Sequence, residues 1–299
     1  MPSRMLSRMF IGRQTNWRAR LLVGLFLIAL FCQCTQIVSA DREGPSRAVV
    51  ISGQQIGQTS SEGVQHLLDL ANQDHVALLE HCQKHIQANY RDFTCTLIKQ
   101  ERLGSRLSKE QTVEAKFMQK PYSVAMHWVK NAPIADRSIY VEGKWNNQMM
   151  VRPAGMLAVV GPQMRSPDDK DVMKNTLRPI TKFGFQCSLE SLIEVYQQAR
   201  ANGDLVCEIG LVGPDGQRSE FAEVAGRKTI VLIRTLPARE DYPAKRTEIY
   251  IDVDYLVPIL VKGYNWDSEL SSSYLFTDLK FNVGLTADDF LPEANGMGE

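Results

Sequence analysis

The sequence predicts an α+β fold: a curved antiparallel meander, a half-open barrel of roughly ten strands, with an N-terminal amphipathic helix and a second helix packed on the concave face. Three observations predict it. Apolar residues recur at three- and four-residue spacings from Glu62 to Asn89, then at two-residue spacing from Phe93 onward. The runs of the second kind are joined by short turns, too short for parallel crossovers. A sheet of about ten antiparallel strands twists and curls, which gives an amphipathic helix a concave apolar face to cover.

Taken in order, the helix comes first. Leu67, Leu68, Ala71, Leu78, Leu79, Cys82 and Ile86 fall on one side of it, and neither Gly nor Pro interrupts it after Gly63. Side chains alternate across a strand, so Phe93, Cys95 and Leu97 share a face, as do Val113, Ala115 and Phe117. Tyr122, Val124, Met126 and Trp128 repeat the pattern, followed by Ile139 with Val141 and by Met149 with Val151. Gly104, Lys120-Pro121, Asn131-Ala132-Pro133 and Glu142-Gly143 mark the turns between them. A second helix is expected over Leu189–Ala201, with Ser188 as N-cap and Asn202-Gly203 as its stop. Strands resume in "LVCEIGLV", "KTIVLIRT", "RTEIYIDVD" and "VPILVKGYNW". In the last, from Tyr274, the residues Leu275, Thr277, Leu279, Phe281 and Val283 form the apolar parity expected to be buried.

Residues 1–40 read as a signal peptide. Five arginines and no acid accompany the apolar run Leu21–Phe31, and Val38-Ser39-Ala40 offers a small-residue cleavage site. Residues 21–40 also carry no charge and are long enough to span a bilayer, so an uncleaved anchor stays open. A flexible lead-in (41–61), one domain (62–290) and a short tail (291–299) complete the expected organisation. The whole chain is formally neutral, but five of its 34 bases lie in the first forty residues, leaving a body of net charge −5. Such a body has no electrostatic footprint for nucleic acid. Export to the periplasm or cell envelope is an oxidising destination, and Cys82, Cys95, Cys187 and Cys207 allow three pairings that sequence does not choose among.

The stretches "NYRDFTCTLIKQERLGSRL", "KPYSVAMHW", "IYVEGKWNNQMMVRPAG", "RTEIYIDVDYLVPI" and "YLFTDLKFNVGLTADDF" resemble, in order, the blocks of a family of exported bacterial proteins catalogued as domain of unknown function 1571. The ending is also similar, more distantly, to the last strand of the periplasmic lipoprotein-carrier superfamily. That resemblance implies a half-open barrel whose apolar concave face, lidded by helices, receives acyl chains.

Signatures of catalysis are missing: the chain has no G-x-S-x-G, P-loop, G-x-G-x-x-G or H-E-x-x-H. His66, His75, His81 and His85 lie on the first helix, and His81 and His85 share a face as a metal pair would, but no third ligand stands beside them. His127 stands apart on a strand. Lys99 and Glu101 continue the inward parity of Phe93, Cys95 and Leu97. They form either a polar mouth for a ligand head group or a strand end beyond the core. Phe117, Val124, Met126, Trp128 and Met149 are the candidate ligand-binding residues, an apolar wall beneath the first helix. The reading is a non-enzymatic binding protein of the envelope, without cofactor or metal, whose partners are a lipid or an acylated protein and, transiently, a membrane or envelope protein. Two alternatives stand beside it: an envelope structural or interaction protein with a solid core, and a metal-dependent enzyme using His81 and His85.

Overall fold

The structure is a computed structural model and describes residues 58–298. The expected signal segment 1–40 and the lead-in as far as residue 57 lie outside the described residues.

Two helices stand where one was expected. Helix α1 (Ser61–Gln73) is capped by Ser60, whose side chain accepts the Gly63 N–H, and α2 (His75–Asn89) follows after one residue. That residue, Asp74, is extended; its N–H closes α1 on the Leu70 carbonyl at 3.0 Å, and its carboxylate accepts the Val76 N–H at 3.0 Å. One aspartate thus ends a helix and caps the next, which apolar spacing does not reveal.

The first run of strands is β1 (Asp92–Leu103), β2 (Arg106–Leu107), β3 (Gln111–Met118), β4 (Ser123–Lys130), β5 (Ala135–Val141), β6 (Met149–Pro153) and β7 (Gln163–Arg165). A short helix α3 (Lys170–Met173) and a long one, α4 (Phe185–Ala201), come next. The second run is β8 (Val206–Ile209), β9 (Leu211–Val212), β10 (Arg218–Ser219), β11 (Phe221–Val224), β12 (Arg227–Thr235), β13 (Arg246–Asp252), β14 (Pro258–Tyr264) and β15 (Leu270–Phe281).

Thirteen strands form one antiparallel sheet, with main path β11-β12-β13-β14-β15-β1-β3-β4-β5-β6-β7. The path ends at β11 and β7, so it does not close into a barrel. The α+β class is as expected. The strands beyond the roughly ten read from sequence are mostly two- to four-residue pieces, too short to show a period. The final strand β15 pairs with β14 on one side and with β1 on the other, so the chain's last strand joins its two runs.

Register corrects two faces. In β15 the pairing with β1 shifts by one residue near Asp278, which sits at φ 52°. Tyr274 and Phe276 therefore face the same side as Phe281, opposite Lys99 and Leu97, and Leu275 does not. In β5 it is Tyr140 and Ser138 that align with Val124 and Met126. Ile139 and Val141 point the other way, into a second apolar cluster with Ala125, Phe290 and Met297. Residues after β15 cover that face, and Arg137 and Arg152 donate to the carbonyls of Asn295 (3.0 Å) and Gly296 (2.8 Å).

Helices α1, α2 and α4 share the main core with the opposite face, through Leu79, Cys82, Leu189 and Tyr196 among others. Helix α4 starts at Phe185, earlier than expected, with Gly184 rather than Ser188 preceding it. Gly184 has φ +103°, and a Cβ there would stand 2.9 Å from the Phe117 ring. Close approach and left-handed backbone both demand glycine at this point.

Candidate functional site

Pleating places Leu97, Val113, Met126, Trp128, Met149 and Val151 on one face of the first strand run. Over them the chain between β7 and α4 forms an irregular cover. Between wall and cover lies a largely apolar cavity of about 380 Å³, within the range of roughly 300–1,000 Å³ usual for small-molecule sites. From the cover, Val172, Ile180 and Phe183 line it; across the β1–β15 seam, Phe276 and Tyr274 do.

Three of the five sequence-chosen residues, Met126, Trp128 and Met149, line this cavity. Phe117 and Val124 do not. Phe117 is buried beneath the cover, stacked on Phe93 with centroids 4.9 Å apart, and Val124 is fully buried. The cavity also lies elsewhere than expected. No residue of α1 or α2 lines it, because α2 packs on α4 and on the Tyr90–Phe281 stack.

At one end the apolar wall turns polar. Lys99 and Glu101 face inward and are buried, with Nζ to Oε2 at 2.9 Å. The Tyr274 hydroxyl donates to Glu101 Oε1 at 2.7 Å. Thr176, from the cover, donates to Glu101 Oε1 and accepts from Lys99 Nζ, each at 3.2 Å. The inward reading of this pair is thus the one realised. A charge carried into the core is met there by an opposite charge and further hydrogen bonds. Burial raises the Tyr274 pKa, the neighbouring Glu101 charge raises it further, and Arg178 opposes both. Trp128 Nε1 donates to Gln111 Oε1 at 2.8 Å, satisfying the one polar atom of the ring.

The cover is tied to the sheet at a second point. The Tyr122 hydroxyl lies 2.9 and 2.8 Å from the Ile180 and Phe183 carbonyls, and burial pushes its pKa up. Around the cavity, Glu101 and Asp171 are the acids, and each is ion-paired, with Lys99 and Lys174. Arg165, Arg178 and Lys182 line it too and carry no ion pair among the described residues. The rim is cationic.

The histidines lie apart from this cavity. His66 of α1 meets His81 edge to face, centroids 6.0 Å apart, while His85 reaches the Tyr90 hydroxyl at 3.3 Å. Burial lowers the pKa of His81, with His66 and Lys84 adding to it; burial and then His81 lower that of His85. His127 faces the other side of β4, 3.2 Å from Glu114. No group of three His, Cys, Asp or Glu side chains placed to hold a metal occurs among the described residues. All four cysteines of the body are free thiols; Cys82 and Cys95 are core residues, and burial pushes the Cys82 thiol up to about 12.

Sequence reasoning missed Tyr274, Phe276, Thr176 and the whole cover. The two aromatics were hidden by the bulge at Asp278. The cover has no period to read; Pro167 and Pro179 interrupt it.

Solved structures similar to this chain include a DUF1329 family protein from Desulfovibrio piger, 10% identical, TM-score 0.36, with 73% of this chain and 96% of that one covered. Another is the Pseudomonas aeruginosa MucA/MucB complex, 16% identical, TM-score 0.37, covering 74% of this chain and 62% of that one. A third is the Mycobacterium tuberculosis lipoprotein LppX, 11% identical, TM-score 0.37, covering 71% and 98%. No curated protein matches the chain. Residues 90–296, over two thirds of the sequence and including every strand and the cavity they frame, match the family described as "Protein of unknown function (DUF1571)", and the chain belongs to that family.

Proposed function

We propose that this is an exported, non-enzymatic binding protein of the cell envelope, and that its cavity holds the acyl chain of a lipid or lipidated protein. In this reading the unclosed sheet serves as a half-open barrel and the 166–184 segment as its lid. The observation that carries the reading is the cavity itself: an apolar trough between sheet and cover that ends in a cationic rim. A sixteen-carbon chain gains roughly 12 kcal/mol on leaving water, before the costs of ordering it. Arg165, Arg178 and Lys182 suit an anionic head group at the rim. Lys99, Glu101, Tyr274 and Thr176 are engaged with one another, an arrangement for shaping a site rather than for turning over a substrate. Met126, Trp128 and Met149 are the tail contacts in this reading; Phe117 and Val124 support them from beneath.

Native mass spectrometry of gently purified protein is the first test, with a co-purifying lipid as the expected result. Titration with a fluorescent fatty-acyl probe is the second. Wild type binds saturably, and Trp128→Ala weakens binding about tenfold through lost contact area. A wild type that never saturates refutes the reading and leaves a structural envelope protein.

A further inference from the structure

The hairpin joining β6 to β7 ends in an apolar turn that no described residue covers. Residues 155–160, GMLAVV, form one 3-10 segment closed by Gly161 at φ 74°. Met156 is 93% exposed and Val159 91%, with Leu157 at 59% and Val160 at 61%. Single exposed apolar residues are ordinary on any protein; four in one turn at a hairpin tip are not. From Pro153 to Met164 no side chain is charged, and arginines, Arg152 and Arg165, stand at the two ends. The tip is continuous with the cavity mouth. Ala154 N–H donates to the Ile134 carbonyl at 2.7 Å, and Ile134, itself 53% exposed, lines the cavity beside Pro153 and Gln163.

We propose that this tip inserts into the surface of an anionic bilayer and seats the cavity mouth at the lipid–water boundary. Met156, Leu157, Val159 and Val160 enter the acyl boundary, and Arg165 stays at head-group level, while Arg152 is held by Asp136 at 2.7 Å. The cations Arg165, Arg178 and Lys182 on the same rim, without an ion pair among the described residues, complement a negative lipid surface. No described helix is long and apolar enough to cross a membrane, and a single apolar turn of this kind binds reversibly. The proposal does not require the cavity to hold a lipid, so it stands or falls separately from the binding reading.

The test is hydrogen exchange of the full chain, followed at the peptide covering residues 154–164, with and without vesicles of phosphatidylethanolamine and phosphatidylglycerol. This local readout is independent of any contact made by Leu21–Phe31. Vesicles slow exchange in this peptide, and Met156→Ser/Val159→Ser abolishes the slowing. Both side chains are almost fully exposed, so the double variant keeps its fold, which circular dichroism and melting verify. Slowing on pure phosphatidylcholine vesicles is weaker; equal slowing there overturns the anionic preference. Unchanged exchange on vesicles, or full slowing retained by the double variant, overturns the proposal. So does slowing that grows with protein concentration in the absence of vesicles, which identifies a second copy of the chain as the occupant.

Discussion

The two halves of the sheet, on either side of the β1–β15 seam, are covered in different ways. Over β12–β14 lie regular helices, and Ile230, Leu232, Ile249, Ile251 and Ile259 are fully buried beneath them. Even Arg234 is enclosed there, over the Tyr196 ring at 4.9 Å and bonded to Thr247 at 3.0 Å. Over β1–β7 lies the irregular 166–184 cover, and Met126, Trp128 and Val151 on the sheet stay half-exposed to a cavity. Helices present a continuous apolar stripe that fills the space to the sheet. A segment of short turns, held by the Thr176 and Tyr122 anchors, bridges that space without filling it. One sheet thus combines a solid half, which supplies stability, with a hollow half.

The anchor in the hollow half gives the largest expected effect. Glu101→Leu strands the Lys99 ammonium in the core and costs about 3–5 kcal/mol. Lys99→Met/Glu101→Leu recovers most of this, because no buried charge remains. Urea melts of the three proteins measure both numbers. A single variant as stable as wild type would mean that Lys99 escapes to solvent and that the pair does not hold the cover.

Truncation separates the halves next. Ile249→Ala, in the solid half, costs about 2–5 kcal/mol, since packed surroundings cannot collapse around the loss. Val151→Ala, facing existing empty space, costs about 1 kcal/mol or less. Equal losses at the two positions, in denaturant melts, would show that the cavity half is as tightly filled as the other.

The solid half also carries a pH response. His75 is buried against the Tyr196 hydroxyl at 2.9 Å, and its pKa falls from 6.5 to about 4. Burial is the main cause; Asp74 opposes it and Arg234 assists. The unfolded chain takes up this proton near pH 6.5 and the folded chain only near pH 4. The contribution is therefore fully present above pH 6.5 and is lost as the pH falls through that window, by up to about 3 kcal/mol. His75→Gln keeps a hydrogen-bonding group there and flattens the stability curve across the same window. A variant curve parallel to wild type would place the acid sensitivity elsewhere.

The solid half was the more legible of the two from sequence, and the physical reason is periodicity. Regular elements imprint their spacing on apolar residues, so α2, α4 and the long strands announce themselves. What did not show were the local events that break a period without leaving a mark: the Asp74 cap, the Asp278 bulge and the change of face at β5. Parity placed Lys99 and Glu101 on the inner face and Met126, Trp128 and Met149 on one wall. It could not say what stood opposite, because the cover over them is aperiodic and is tied down by two hydroxyls, Thr176 and Tyr122, whose partners lie far along the chain.

Filling the molecule sharpens the comparison with the smallest change in stability. Val151→Phe adds volume on the cavity wall, where the ring displaces solvent or ligand rather than neighbouring side chains. Stability should move by about 0.5 kcal/mol or less. Ala199→Leu adds volume to the solid half, at a site with no exposure, where overpacking forces side chains off their rotamers and costs about 1–3 kcal/mol. Binding separates the same two variants in the opposite sense. Val151→Phe occupies space that an acyl chain would use, so probe affinity drops while the melt barely moves. Ala199→Leu lowers the melt and, wherever the protein remains folded, leaves probe affinity near wild type. The two variants, measured by acyl-probe titration alongside urea melts, thus exchange their ranks between the two assays. If Val151→Phe lost stability as Ala199→Leu does, the hollow half would be closing on itself in solution, and the cavity would not be standing open for a ligand.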